Sequence, residues 1–507
     1  MFQLRSLRKI SKLNVTTSIV RCRHDYVPFE KRVKQECIRL SKLPFVSSLV
    51  QSYENVQPLK NYKILNIQHQ LGDVAAQTEA LIGLGASPSE LYFLPPSYTH
   101  HKDFEQFVEK YLQIPKENLF SSSAYRLKYN YDQFRLVQVI HGLKKLIEME
   151  SKKGRESIKQ LLILDDGGCF SESLAVLLDI EKGSIDAQFL TSNFPTKYQM
   201  KNSDAKTLLS SIRSIDIRLV EQTSRGLFKY LDDQRIPRAL KQLGIFMIDV
   251  ASSEPKKRLE PSLIAEATIQ MLSYLFHEAP DHLKIQKPLD MQRCLLLGYG
   301  AIGKAIADAL TGDNELGYFP KSALEVFDKD QDKNLAAIND GYQIFERWEQ
   351  NGQFDYIIGC AGRCSLPVTS LSLLRDQAYL ISASSAAVEF PFYRMVESIH
   401  SDQSETRFDL VRDKSQINPL EDENIHRNIT FRTNHDSVFT VVNGGMPVTF
   451  IGLLNPTYPE KFDLTVGCMI AASIQATQHP HQLDDSNRIR PLDSKFSERI
   501  CRWFDRI

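Results

Sequence analysis

Short apolar runs alternate with helical patterns along most of this chain. The run KILNIQ (63–68) has a strand pattern, DVAAQTEALIGLG (73–85) has a helical one, and LYFLPP (91–96) has a strand pattern again. Further apolar runs occupy residues 160–166, 294–298, 324–328, 354–359 and 378–382. Alternation of strands with helices is typical of parallel sheets covered by helices on both faces. The pattern therefore predicts an α/β fold.

One of these apolar runs leads into a glycine-rich turn and a helical pattern, CLLLGYGAIGKAIADAL (294–310). Its glycines, Gly298, Gly300 and Gly303, follow the pattern G-x-G-x-x-G, with Ala301 and Ile302 between the second and the third. The first glycine permits a tight turn, the second lets the backbone approach a pyrophosphate, and the third lets strand and helix pack closely. The helix N-terminus then faces the anion. This context predicts a Rossmann dinucleotide-binding domain.

The next apolar run, LEVFD, ends in an acid that bears on the choice of cofactor. This acid, Asp328, follows Gly303 by 25 residues. A carboxylate at the end of the second strand can accept hydrogen bonds from both ribose hydroxyls of an adenosine, and it repels a 2′-phosphate. We therefore expect NAD as the cofactor rather than NADP. The alternative is a glycine turn in an α/β domain that binds no nucleotide.

Composition excludes several partners. The chain has 507 residues, with 62 basic and 62 acidic side chains and no basic stripe in its body, which argues against nucleic acid. No apolar run is long enough to span a bilayer, so we expect no membrane partner. The eight cysteines are scattered without metal-binding spacing, and we expect free thiols and no metal site.

The sequence suggests three segments. Residues 1–30 form a basic extension, in which no acid precedes Asp25; its basic residues are Arg5, Arg8, Lys9, Lys12, Arg21 and Arg23. Such composition is typical of a mitochondrial presequence, but also of an extension on a cytoplasmic protein. We expect a cytoplasmic protein, with the mitochondrial matrix as the alternative. Residues 31–275 are predicted to form a substrate-binding α/β domain to which 448–507 return, and residues 285–445 a Rossmann domain, with the ligand in the cleft between them.

Seven segments together resemble, in chain order, motifs of the S-adenosylhomocysteine hydrolase family. They are HQLGDVAAQTEALIGLGA (69–86), ILDDGG (163–168), EQTSRGL (221–227), IDVASSEPKKRLEP (248–261), GYGAIGKAIADAL (298–310), DKDQDKNLAAINDGYQI (328–344) and VVNGG (441–445). The resemblance implies a homo-oligomer that binds NAD and a small nucleoside substrate. It also implies a reaction in which the 3′-hydroxyl is oxidised, the C4′ proton is removed, the 5′-thiolate leaves, water adds and the hydride returns.

The resemblance also implies catalytic residues. His69 stands at the family's histidine near the 5′ leaving group, and Asp166 at its acid–base partner. Lys256 stands at the lysine that helps to deprotonate the 3′-hydroxyl, and Glu260 replaces an aspartate of the family by a carboxylate one methylene longer. From the residues alone, His69 and Lys256 could be solvated side chains, and Asp166 could be an acid that belongs to a turn. Lys257 could replace Lys256 if the alignment slips by one residue, and Glu260 carries the same uncertainty.

Further positions are implied to contact the cofactor or the substrate. Thr223 and Ser224 stand where the family has hydroxyls on the nicotinamide side, and Asn443 stands at an asparagine near the nicotinamide. Gln222 stands in the substrate site, where the family has a glutamate that holds the ribose hydroxyls. This change replaces an anionic acceptor by a neutral amide.

Other positions depart from the family as well. Arg225 replaces a threonine, Pro261 an asparagine, Ala265 a cysteine and Ser385 a histidine. The family's C-terminal K-P-D-H-Y-R-Y is absent, since this chain ends in SERICRWFDRI. Candidate proton-transfer residues thus persist, whereas groups on the ribose and adenine side of the substrate change.

Three hypotheses follow. The first is a divergent adenosylhomocysteinase-like, NAD-dependent enzyme that acts on S-adenosylhomocysteine or a related nucleoside thioether by 3′-oxidation and elimination. The second is a catalytically inactive, NAD-binding regulatory protein of the same family. The third is an NAD-dependent oxidoreductase with a different substrate, since a fold does not determine a function.

Overall fold

The computed structural model describes residues 27–153, 158–286, 293–312, 319–346, 354–384, 386–399, 407–412, 418–478 and 488–506. Ser385 and residues 1–26 of the predicted basic extension lie outside this part of the chain. The strands are β1 Lys63–Ile67, β2 Leu91–Phe93, β3 Gln160–Asp165, β4 Asp216–Glu221, β5 Phe246–Asp249, β6 Cys294–Leu297, β7 Leu324–Phe327, β8 Gln343–Ile344, β9 Tyr356–Gly359, β10 Ala378–Ser382, β11 Phe408–Leu410, β12 Ile429–Thr433, β13 Val438–Val441 and β14 Ile489–Pro491. The α-helices are α1 Phe29–Arg32, α2 Pro44–Tyr53, α3 Gly72–Gly83, α4 Lys102–Leu112, α5 Tyr131–Lys152, α6 Cys169–Lys182, α7 Ala187–Thr191, α8 Asn202–Ile212, α9 Ser224–Asp232, α10 Arg235–Gln242, α11 Glu254–His277, α12 Ala301–Thr311, α13 Gln331–Asn339, α14 Phe392–Ser398, α15 Asp463–Gln478 and α16 Ser494–Phe504.

The first sheet has six parallel strands in the order β2-β1-β3-β4-β5-β14. Its central strands, β1, β3, β4 and β5, are buried along nearly their whole length because helices cover both faces. The last strand, β14, comes from the C-terminal segment, as does α15, whose sixteen residues are apolar on nearly every side. A helix with this composition has to be buried, and α15 packs between α2, α3 and the strands of this sheet. The C-terminal segment is thus part of the first domain.

The second sheet has eight strands in the order β8-β7-β6-β9-β10-β13-β12-β11. The first six are parallel, and β12 and β11 are antiparallel additions at one edge. Counted from the glycine-rich strand β6, the parallel strands follow the order 3-2-1-4-5-6 of a Rossmann fold. The predicted fold class, an α/β protein with a Rossmann domain and a second α/β domain, is confirmed.

The long helix α11 joins the two domains. It begins directly after β5, so its first turns lie at the carboxyl edge of the first sheet. Its remaining length packs against α12 of the second domain, and it ends at His277, where the sequence predicts the domain boundary. Functional side chains in the first turns of α11 are thereby held against the cleft.

Residues at the junction of the predicted extension and the predicted first domain pack elsewhere. Phe29 and Val33 are buried in the core of the second domain, and the Phe29 ring meets the Tyr274 ring of α11 edge-on at 5.8 Å. The backbone N–H of Phe29 also donates to the Glu278 carboxylate. Residues 29–33 are therefore part of the folded molecule and not part of an extension.

The two domains meet in one hydrophobic cluster. It includes Tyr98 and Phe134 from the first domain and Leu297 and Phe390 from the second. The carboxyl ends of strands from both sheets lie at this junction, where ligands of open α/β folds bind. No helix among the described residues is long and apolar enough to cross a membrane.

Candidate active site

A histidine and an aspartate meet at the carboxyl edge of the first sheet. The loop after β1 carries His69, and the loop after β3 carries Asp166, because β1 and β3 are neighbouring parallel strands. Nε2 of His69 lies 3.4 Å from Oδ2 of Asp166, and Nδ1 lies 2.8 Å from the hydroxyl of Thr99. The Phe450 ring, which follows the second domain in the chain, stacks on the imidazole at 4.3 Å. The structure thus brings these two predicted catalytic residues together at the domain junction.

Burial sets the charge of both groups. It lowers the pKa of His69 to about 3, and the positive charge of Arg135 acts in the same direction. It raises the pKa of Asp166 to about 6, against the opposing charges of Lys256 and Arg135. Both shifts arise because a buried group loses the hydration that favours its charged form. Near neutral pH the pair therefore consists of a neutral imidazole and a carboxylate, and both groups can accept a proton.

A second pair, partly buried, lies on the first turns of α11. Nζ of Lys256 donates to Oε1 of Glu260 at 2.5 Å, and the hydroxyl of Thr465 on α15 donates to the same oxygen at 2.6 Å. The side chain of Lys256 is 8% exposed, whereas its neighbour Lys257 is exposed to solvent. The family alignment at Lys256 therefore selects the buried lysine. An alignment shifted by one residue would select the exposed Lys257 instead.

Gln222 forms part of a row of amides. Its Oε1 accepts a hydrogen bond from Nε2 of Gln68 at 2.5 Å, and Oε1 of Gln68 accepts one from Nε2 of Gln77 at 2.7 Å. Gln68 and Gln77 are buried and Gln222 is partly buried. A neutral amide row thus occupies the position where the family resemblance implies a carboxylate.

The preceding residue, Glu221, is a buried carboxyl group that sequence reasoning missed. It accepts hydrogen bonds from the backbone N–H groups of Gly167 and Gly168 at 3.2 and 3.0 Å. It also accepts from the backbone N–H and the hydroxyl of Thr223 at 2.8 and 2.6 Å. Burial raises its pKa. Glu221 joins the loops after β3 and β4, and its position as the first residue of EQTSRGL was the available signal.

The residues after Gln222 are engaged mainly in local structure. The Thr223 side chain caps α9 by accepting from the backbone N–H of Gly226 at 3.2 Å. Ser224 is exposed in the first turn. Arg225 donates to both carboxylate oxygens of Asp132 at 2.7 and 2.8 Å and so ties α9 to α5. The predicted cofactor contacts of Thr223 and Ser224 stay predictions, and the Thr223 hydroxyl already has two partners.

The glycine-rich turn after β6 has the geometry of a phosphate-binding loop. Gly298 has a φ of +103°, and a Cβ there would lie 2.9 Å from the backbone N of Ala361. A Cβ on Gly303 would lie 2.1 Å from the carbonyl oxygen of Gly298, so this position requires a glycine for close packing. A Cβ on Gly300 would meet no atom within 4 Å. Open space therefore lies beside the N-terminus of α12, which begins with Ala301 and Ile302.

Asp328 lies beside this turn at the end of β7. Its Oδ2 accepts from the backbone N–H of Tyr299 at 2.7 Å, and its Oδ1 accepts from that of Asp330 at 2.9 Å. Each carboxylate oxygen has further lone pairs with which to accept ribose hydroxyls. The turn, the helix N-terminus and the carboxylate together fit the pyrophosphate and ribose of a dinucleotide.

Asn443 is buried in a turn with a left-handed φ of 53°. Its amide nitrogen donates to the carbonyls of Pro447 and Phe450 at 3.0 and 2.9 Å, and its Oδ1 lies 3.1 Å from Nδ1 of His426. The side chain thus fixes the segment whose Phe450 ring stacks on His69. Its predicted contact with the nicotinamide stays a prediction.

A second buried acid, Glu389, also escaped sequence reasoning. Its Oε1 accepts from the backbone N–H of Gly362 at 2.6 Å and from the Ser384 hydroxyl, and burial raises its pKa. Glu389 thereby holds the loop after β9 next to the glycine-rich turn. Its position four residues after Ser385, which stands where the family has a histidine, was the available signal.

Comparisons with known proteins add little to this geometry. No family model matches the chain. An uncharacterized protein of Mycobacterium tuberculosis, found in two strains, is 27% identical over 280 residues, which cover 53% of this chain and 44% of the relative. The match therefore spans less than half of the relative's length.

Among solved structures, a dipicolinate synthase chain from Bacillus halodurans is 10% identical, with a TM-score of 0.36 over 66% of this chain and 87% of that one. A D-lactate dehydrogenase from Treponema pallidum is 14% identical, with a TM-score of 0.24 over 54% of this chain and 73% of that one. These likenesses are distant, and the fold assignment rests on the strand order described above.

Proposed function

We propose that this protein is an NAD-dependent enzyme that oxidises a secondary hydroxyl group of a substrate bound between its two domains. One observation carries the proposal: the buried His69–Asp166 pair and the partly buried Lys256–Glu260 pair lie close enough for the charges of Lys256 and Glu260 to act on Asp166. They occupy the carboxyl edge of one sheet, and the dinucleotide-type turn occupies that of the other. Titratable groups with shifted pKa values clustered in a cleft are typical of active sites.

The Lys256–Glu260 pair is suited to hydroxyl oxidation. A bound nicotinamide accepts a hydride from the carbon that carries the hydroxyl. The hydroxyl proton must leave at the same time, and we propose that Nζ of Lys256 passes it to Oε1 of Glu260, which accepts a hydrogen bond from Nζ. The buried position of Lys256 keeps water away from its side chain and so strengthens its electrostatic effect.

The His69–Asp166 pair extends this chemistry to elimination. Oxidation of a hydroxyl to a ketone acidifies the proton on the adjacent carbon, and the Asp166 carboxylate can accept that proton. Since His69 is neutral near pH 7, it must gain a proton before it can protonate a leaving group. Asp166, at 3.4 Å, is the source of that proton once it has accepted the proton from the substrate carbon. This order of steps supports the finer proposal, in which 3′-oxidation is followed by elimination on a nucleoside thioether.

The Gln222–Gln68 contact favours a different substrate for the same oxidation. Loss of a charged hydrogen-bond partner costs on the order of 1.5–3 kcal/mol, and a row of amides replaces the carboxylate that the family resemblance implies for the ribose hydroxyls. We therefore favour an NAD-dependent oxidoreductase whose alcohol substrate differs from S-adenosylhomocysteine.

Absorbance of reduced nicotinamide at about 340 nm tests the proposal. The NAD-loaded protein is mixed with adenosine, with S-adenosylhomocysteine and with a panel of secondary alcohols. Net accumulation of reduced nicotinamide with an alcohol supports the oxidoreductase, and a transient signal with release of a thiol supports elimination. Bound NAD with no reduction by any compound would instead support the regulatory protein.

A further inference from the structure

Arg135 is the bulkiest fully buried side chain among the described residues, and it is 1% exposed. It lies on α5, beneath the carboxyl edge of the first sheet. A buried cation is usually paired with an anion, because burial of an unpaired charge is costly. Within the described part of the chain, no carboxylate forms an ion pair with Arg135. A buried guanidinium without a direct ion-pair partner requires a physical reason for its position.

Its hydrogen bonds supply one. Nη2 donates to the backbone carbonyls of Ile67 at 3.4 Å and Leu94 at 2.9 Å. Nη1 donates to the backbone carbonyl of Pro95 at 2.8 Å and to Oε1 of Gln138 at 2.7 Å. A single planar group therefore bridges the end of β1 to the end of β2.

The segments that follow these two strand ends carry the two partners of one hydrogen bond. Ile67 precedes His69 by two residues, and Pro95 precedes Thr99 by four. The Thr99 hydroxyl is the group that contacts Nδ1 of His69 at 2.8 Å. The guanidinium thus fixes the separation of the segments that carry His69 and Thr99. A lysine could supply the charge here, but its single ammonium group lacks the planar fork that reaches several carbonyls at once.

The charge of Arg135 acts on the same site. It lowers the pKa values of both His69 and Asp166, so it favours a neutral imidazole beside an ionised carboxylate. The other titratable groups that face this pair are Tyr98, His101, Asp165, Glu221, Lys256 and Glu260.

We propose that Arg135 is a positioning residue of the proton-transfer site, whose fork holds His69 against Thr99 and whose charge acts on the His69–Asp166 pair. The catalytic meaning of this role rests on the proposed function, because only there do His69 and Asp166 transfer protons. The physical effect on His69 does not depend on it.

Two variants separate the fork from the charge. Arg135→Lys keeps the charge and loses the bridge between the strand ends, whereas Arg135→Met loses both. Arg218→Met is the matched control: Arg218 is a buried arginine, 4% exposed, that pairs with Asp216 near the amino end of β4, away from the site.

The first readout is independent of turnover. It is the NMR signal of the His69 ring in the full-length protein labelled with ¹³C-histidine, assigned with His69→Gln and followed over pH. We expect Arg135→Met to raise the pKa of His69 by about one unit. We expect Arg135→Lys to move the ring signal through its altered contact with Thr99 while leaving the pKa nearly unchanged. Arg218→Met should leave both the signal and its titration as they are.

The outcomes decide the proposal clearly. If the His69 signal and titration in Arg135→Lys match those of the unmodified protein, Arg135 has only a structural role and the proposal is overturned. This variant remains decisive if Arg135→Met does not fold.

Turnover, once a substrate is found, gives the second readout. A displaced His69 should lower kcat in Arg135→Lys by about tenfold to a hundredfold without moving the acidic limb of the pH profile. In Arg135→Met the acidic limb should also move to higher pH, because Asp166 loses a neighbouring positive charge. Failure to find any oxidised substrate would count against the proposed function, and the His69 titration would still decide the role of Arg135.

Discussion

At the carboxyl edge of the second sheet, Gly300 faces open space and Asp328 keeps lone pairs free for a ligand. At the edge of the first sheet, Gln222 already accepts from Gln68, and the Thr223 hydroxyl donates to Glu221. The cofactor side of the cleft therefore presents free groups to a ligand, whereas several groups on the substrate side are engaged with each other.

This difference follows from how each side recognises its ligand. A dinucleotide turn depends on backbone shape, a helix N-terminus and one carboxylate, so a few glycines specify it. A substrate site depends on individual side chains, and we propose that Gln222, where the family resemblance implies a glutamate, changes what this site binds. The comparison explains why the sequence supports an NAD site more strongly than any particular substrate.

The largest expected effect separates two glycines of the same turn. Gly303→Ala would put a Cβ 2.1 Å from the Gly298 carbonyl oxygen, and since this contact is to backbone, we expect a loss of about 3 kcal/mol in stability. Gly300→Ala should leave the stability of the free protein unchanged, because its Cβ enters open space. It should weaken NAD binding by at least about tenfold, because the methyl group occupies the space of the ligand. Thermal unfolding measures the change in stability, and calorimetric titration measures the affinity for NAD. If the two variants lose the same stability and the same NAD affinity, the geometry assigned to the turn is contradicted.

The next effect concerns the buried lysine. Lys256→Met should lower the rate of hydroxyl oxidation by roughly a hundredfold or more, because the proton-transfer pair loses one member. Lys257→Met, its exposed neighbour, should leave the rate within about twofold of the unmodified value. Single-turnover reduction of bound NAD measures both rates. A large loss in Lys257→Met would show that the alignment at Lys256 is wrong.

A smaller effect concerns pH and stability. The pKa of His69 is about 3 in the folded protein and about 6.5 in the unfolded chain, so between these values the unfolded state binds more protons. Stability from this group is therefore lost as pH falls, by about 2 kcal/mol at about pH 5. His69→Gln removes this loss, and denaturant unfolding at pH 7 and pH 5 should show a smaller difference for the variant. If the free energy of unfolding changes between pH 7 and pH 5 by the same amount in His69→Gln as in the unmodified protein, His69 is not buried as described.

The smallest expected effect concerns Gln222. Gln222→Glu introduces a carboxylate on the substrate side, and we expect it to strengthen adenosine binding by about tenfold, since a charged acceptor replaces a neutral one. NAD affinity serves as the internal control and should stay within about twofold. If adenosine affinity does not change, Gln222 does not face the ribose. The claim that the substrate side of the cleft has changed then lacks its main supporting residue.

Local patterns predicted a large part of this structure. The run AYLIS coincides with β10, and the glycine-rich turn connects β6 to α12 as expected, with Gly303 in the first turn of the helix. The family resemblance implied that His69 and Asp166 act together, and the structure places them in loops after neighbouring strands. Such features depend on residues that are close in sequence or on the simple geometry of parallel strands.

Features that depend on distant residues could not be predicted in this way. Arg135 contacts carbonyl groups 40 to 68 residues away, and nothing in the pattern of its helix indicates that its guanidinium is buried. The family resemblance implied that Asn443 contacts the cofactor. Its side-chain amide instead donates hydrogen bonds to carbonyl groups of the turn that contains it. Phe29, within the predicted extension, is buried through contacts with residues nearly 250 positions later. In each case, packing between residues that are distant in sequence determines where the side chain lies.

The central claim is that the cofactor side of the cleft is competent while the substrate side has changed. Calorimetric titration with NAD, followed by adenosine on the NAD-saturated protein, tests it most directly. We predict that NAD binds at least about tenfold more tightly than NADP, because Asp328 repels a 2′-phosphate, and that adenosine binds weakly. Failure to bind NAD, or adenosine affinity that matches that of NAD, would contradict the account.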